Sequence, residues 1–119
     1  TYPNIKGMQG SAGEDVVGAA LAVEEAGLSD QVSIVGTSLP SVAGPYVETG
    51  EIDLISFWDP ALAGYAMNVL AERALSDEPV ETGDDLGVEG YNDVRVDGKV
   101  VYGQAWVDVT ADNLDQYDF

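Results

Sequence analysis

Short apolar runs alternate with longer stretches of helical periodicity through the first two thirds of the chain. Ile5 to Gly10 reads as a strand, followed by a turn at Ser11-Ala12-Gly13-Glu14. Ser11 and Glu14 stand at capping-box spacing, so a helix is predicted to start there. Val16, Ala20, Val23 and Gly27 share one face of that helix, with Val17 and Leu21 beside them, and Gly27 suits its C-terminal turn. Gln31 to Thr37 is the second predicted strand. A turn through Gly36-Thr37-Ser38-Leu39-Pro40-Ser41 leads into a shorter helix with Val42, Tyr46 and Val47 inward, an irregular start at Pro45, and an end at Gly50.

Ile52 to Trp58 is the third predicted strand. Asp59-Pro60 then offers an N-cap followed by proline at the first helical position, and Leu62, Ala66, Val69 and Leu70 form an apolar stripe up to about Ser76. A β-α-β-α-β-α order implies parallel strands joined by right-handed crossovers. The last third departs from this rhythm. Ser76 to Gly90 reads as a polar, exposed loop. Tyr91 to Val96 and Lys99 to Tyr102 alternate as a hairpin around Asp97-Gly98. Ala105 to Val109 is one further strand candidate, and Thr110 or Asp112 would cap a final turn. The predicted class is therefore α/β: a three-layer open sheet, mainly parallel with flanking helices, plus a C-terminal β-hairpin.

Charge narrows the function classes. The 119 residues carry 22 acidic side chains against Lys6, Arg73, Arg95 and Lys99, a net charge of −18. Four scattered cations do not make a nucleic-acid surface or a site for anionic lipid. An acidic surface stays hydrated but repels itself, and salt screens that repulsion over about 8 Å at physiological ionic strength. Such a balance is what a halophilic source would produce. The chain lacks cysteine and histidine, which removes disulfides, thiol chemistry and the commonest general base and metal ligand. No apolar run is long enough to span a membrane.

Ligands of open α/β sheets bind outside the carboxyl ends of the parallel strands. Three such ends are predicted: Gly10-Ser11-Ala12-Gly13-Glu14, Thr37-Ser38-Leu39-Pro40 and Phe57-Trp58-Asp59-Pro60. Trp58-Asp59 is the most informative, since an indole face suits the C–H side of a sugar ring and a carboxylate accepts from adjacent hydroxyls. Each of these residues also has a plainer reading. Asp59 caps a helix and Trp58 packs in the core; Ser38 closes a turn; the capping box accounts for Ser11 and Glu14. Gly7-Met8-Gln9-Gly10 lacks the dinucleotide fingerprint. Asp84-Asp85 lacks the oxygen spacing of a Ca²⁺ loop. Ser11 and Ser38 have no placed base. No catalytic residue, metal ligand or cofactor is predicted.

Four stretches together resemble the C-terminal part of type I periplasmic solute-binding proteins of ABC importers, within that class the rhamnose and autoinducer-2 receptor group. They are Tyr2-Pro3-Asn4-Ile5-Lys6-Gly7; Gly36-Thr37-Ser38-Leu39-Pro40-Ser41 leading to Pro45-Tyr46-Val47; Phe57-Trp58-Asp59-Pro60 with Gly64-Tyr65; and Asp112 to Tyr117-Asp118-Phe119. The resemblance implies two α/β lobes with a sugar-like ligand between them, an extracytoplasmic location with a possible lipid anchor, importer membrane subunits as partners, and no enzyme activity. Carried over by position, the ligand would meet Ser11, Gly13, Glu14, Ala19, Ser38, Leu39, Trp58 and Asp59. Autoinducer-2 receptors place a proline and, two residues later, an alanine near the ligand; Val17 and Ala19 stand at those positions here, and the missing proline favours a sugar. The resemblance also implies an absent N-terminal lobe, with the 60–76 helix packing on that lobe or on a second copy of this chain. A sugar-sensing effector domain of a LacI-type regulator is the alternative of the same fold.

Overall fold

The computed structural model describes residues 2–117, so Asp118 and Phe119 of the expected ending lie outside the described residues. The chain forms β1 (Gly7–Gly10), α1 (Asp15–Glu25), β2 (Ser33–Thr37), α2 (Pro40–Glu48), β3 (Leu54–Phe57), α3 (Pro60–Leu75), β4 (Arg95–Asp97), β5 (Val100–Tyr102), β6 (Val107–Val109) and a closing 3₁₀ turn, Leu114–Gln116. These divide into two units: the chain up to Phe57 together with the chain from Val107, and Trp58–Trp106.

In the first unit the sheet order is β1-β2-β3-β6. β1, β2 and β3 are parallel, while β6 runs antiparallel to β3 with Phe57 opposite Val107. The α/β class and mainly parallel sheet are as predicted, and within this unit the structure shows the helices on one face. Two crossovers that step the same way along a sheet put both helices on one side. Val16, Ala20 and Val23 of α1 and Ala43 and Val47 of α2 accordingly pack into one cluster with Ile34, Ile55, Phe57 and Val109.

The strands are shorter than the apolar runs. Gln31 donates its N–H to Leu28 O at 2.8 Å, closing the turn after α1 rather than entering β2. That turn is a Schellman motif, with Leu28 N–H on Val23 O and Gly27 N–H on Glu24 O. Ahead of β3, Ile52 donates to Tyr46 O, and Asp53 Oδ2 accepts from Ile34 N–H at 2.7 Å.

α2 starts at Pro40, not at Pro45, because a proline at the first helical position forgoes no intrahelical bond. Pro45 lies inside the helix on its exposed side. The buried face is Ala43, Gly44 and Val47, with Val42 and Tyr46 half-buried. It is turned relative to the predicted face because the closing 3₁₀ turn lies beside Gly44: a Cβ there would stand 3.7 Å from Leu114 Cδ1.

In the second unit α3 begins and ends as predicted. The Ser76 to Gly90 stretch is largely an exposed loop, as predicted, but it is anchored at one point. Leu86 is buried, and with Val94 it packs against Ala66, Val69 and Leu70 of α3. Arg73 holds the loop, its guanidinium 2.7 Å from Asp84 Oδ2 and 3.3 Å from the Asp85 carbonyl oxygen. Ala66, Val69 and Leu70 of the apolar stripe thus have partners within their own unit. The hairpin forms as predicted with its turn one residue later: Asp97 pairs with Val100, so Gly98-Lys99 is the connection, and Gly98 at φ 61° supplies the positive φ of its first central position.

Candidate functional site

β1, β2 and β3 end side by side, with Gly10 opposite Gly36 and Thr37 opposite Ser56. The two glycines have a steric cause. A Cβ on Gly10 would stand 2.7 Å from Asp15 Cβ, and one on Gly36 would stand 2.7 Å from Gly10 N. Only bare backbone lets the start of α1 close down on these strand ends.

The turn from β1 into α1 is tied by Asp15, not by the predicted capping box. Asp15 Oδ2 accepts from the N–H groups of Ser11 and Ala12, each at 3.0 Å. Glu14 takes the N-cap position in an αR conformation with no side-chain capping bond. An N-cap normally sits in the extended region, where its side chain can reach forward; αR geometry turns Glu14 away from that role. Two turn amides are therefore already satisfied by a carboxylate, which disfavours an anionic ligand there, while Ser11 and Glu14 present exposed side chains.

Ser38 and Gly13 are brought together. Ser38 is 2% exposed, and its Oγ donates to Gly13 O at 2.7 Å. The bond pins the end of β2 to the turn after β1, and its proton is committed to that carbonyl. Leu39 is the extended N-cap of α2 and packs against the core. Ala19, a full turn into α1, also packs on the core. At the β3–β6 pair, Ser56 Oγ donates to Asp108 Oδ1 at 2.6 Å across the rung.

Trp58 and Asp59 belong to the second unit. Asp59 caps α3 as predicted, but a single oxygen makes both bonds: Oδ1 accepts from Ala61 N–H at 2.7 Å and from Leu62 N–H at 3.3 Å. Oδ2 takes no part in the cap and remains a hydrogen-bond acceptor for another group. The plain reading of Trp58 as a core residue fails, since it is 46% exposed. Its indole meets that of Trp106 at 5.3 Å between centroids and 87° between planes. Trp106, 61% exposed, is the residue that sequence reasoning missed. The available signal was a lone tryptophan just before the alternating Val107-Asp108-Val109. What that signal lacked was the pairing of β6 with β3. Among the described residues no group of three or more acidic side chains is arranged to hold a metal ion.

Residues 1–79 match the family of the periplasmic binding protein domain. Two solved structures share the fold over 99% of this chain. One is LsrB from Clostridium saccharobutylicum in complex with AI-2, with 23% identity and a TM-score of 0.73. The other is a sugar ABC transporter protein from Actinomyces odontolyticus, with 23% identity and a TM-score of 0.77. The chain spans 41% of the first protein's length and 38% of the second's.

Proposed function

Because the chain belongs to the periplasmic binding protein family, we propose that it is part of the extracytoplasmic sugar-binding component of an ABC importer. Its membrane subunits are the implied partners. The observation that carries this reading is Trp58-Asp59: an exposed indole followed by a carboxylate that spends one oxygen on its helix and keeps the other. Sugars are recognised by this combination, apolar C–H faces against an aromatic ring and hydroxyls on charged acceptors. In the first unit, taken by itself, Ser11 and Glu14 present a hydroxyl and a carboxylate at the end of β1. Ser38, Gly13, Leu39 and Ala19 shape and hold the strand ends more than they offer polar atoms. The role proposed is binding without turnover, with the rest of the pocket supplied by residues outside this chain. The absent proline at Val17 favours a sugar over autoinducer-2.

Tryptophan fluorescence of the full-length protein, titrated with pentoses, 6-deoxyhexoses and autoinducer-2, tests the reading. A saturable shift with a sugar, lost in Trp58→Phe, is expected. A flat response across the panel would sink the assigned site.

A further inference from the structure

Trp106 has no place in the predicted site, yet it is the partner that Trp58 meets. Both indoles are large apolar groups left in contact with water, as are Met67, Leu75 and Val100 of the same unit, while Leu86 and Val94 are buried. Their 5.3 Å separation and near-perpendicular planes are the edge-to-face arrangement that the aromatic quadrupole favours. Along the chain, Trp58 directly follows Phe57 and Trp106 directly precedes Val107, the two residues that face each other in the β3–β6 ladder. An isolated surface indole samples several rotamers, and stacking on a ligand would have to freeze it. A neighbour held edge-on lowers that ordering cost before any ligand arrives.

We propose that Trp106 is a positioning residue of the ligand site, its indole fixing the ring of Trp58 in the orientation that stacks on the apolar face of a sugar. This rests on the function proposed above and assigns it a second aromatic. It also accounts for the exposure of both rings, since a pair formed to fill a core would be buried.

The test uses the full-length protein with L-rhamnose, D-ribose and D-xylose as probes, binding measured by calorimetry. The paired indoles should give an excitonic couplet in far-ultraviolet circular dichroism that disappears in Trp58→Phe and in Trp106→Leu. The best-bound sugar should bind about 3- to 10-fold more weakly to Trp106→Leu, with Trp106→Phe recovering most of the loss because it restores an aromatic edge. The couplet should change on sugar addition in the unsubstituted protein. Leucine keeps apolar bulk, so a role limited to packing would leave affinity within about twofold in both variants; that result overturns the proposal for Trp106. Where Trp58→Ala abolishes binding and both Trp106 variants bind normally, the site stands and the positioning role falls. Failure of every sugar to bind overturns the function and this role with it.

Discussion

At Gly36 a methyl group has nowhere to go. Its Cβ would lie 2.7 Å from Gly10 N and 2.8 Å from Val16 Cγ1, a backbone atom and a core side chain. Neither yields cheaply, so Gly36→Ala is expected to cost about 3 kcal/mol of stability, read as a fall in the urea midpoint at constant m. Ser38→Ala should cost about 1–3 kcal/mol by leaving the Gly13 carbonyl without its buried donor. If the hydroxyl instead serves the ligand alone, the midpoint will not move. Asp59 was legible in the sequence because an N-cap is a local device that needs no distant partner. Asp15 and Trp106 were not. The Ser11–Glu14 spacing fits a capping box, and the choice of Asp15 depends on how the turn closes beneath Gly36.

Elements formed by local rules are where the sequence predicts them. α3 has its cap, its proline and its stripe in one stretch, and it runs from Pro60 to Leu75. Its cap also allows Asp59's two duties to be separated. Asp59→Asn keeps a good capping residue, so the melting temperature should change little, whereas Asp59→Ala should cost about 1 kcal/mol. Both remove the charge on the free oxygen and should weaken sugar binding alike; a fall confined to the alanine variant would mean that the carboxylate serves the helix alone. The acidic stretch after α3 has the composition of a solvated loop and is mostly exposed, and that composition gives no sign of its buried anchor at Leu86. A single cation organises it: Arg73 meets Asp84, which also accepts from Glu81 N–H. Arg73→Met should leave the strands intact and speed amide hydrogen exchange at Leu86 and Val94, whose N–H groups are bonded within that loop. Unchanged exchange there would show that the apolar contacts of Leu86 suffice.

On the scale of the whole molecule, a charge of −18 sets the response to salt. Self-repulsion is screened over shorter distances as ionic strength rises, so thermal stability should climb from low to molar salt. A flat dependence in calorimetry, with chloride and acetate compared to exclude specific ion binding, would remove the halophilic reading. The sequence by itself determined the order of elements, the parallel character of the sheet, the α3 cap, and a composition without histidine or cysteine. These follow from periodicity, capping and counting, which act within a few residues. Only the tertiary structure decided that β6 pairs antiparallel with β3, that Arg73 folds the acidic loop onto the α3 stripe, and that Trp106 joins Trp58. Each of those depends on residues more than ten positions apart meeting through packing and hydrogen bonding, and no local pattern along the chain encodes such a meeting.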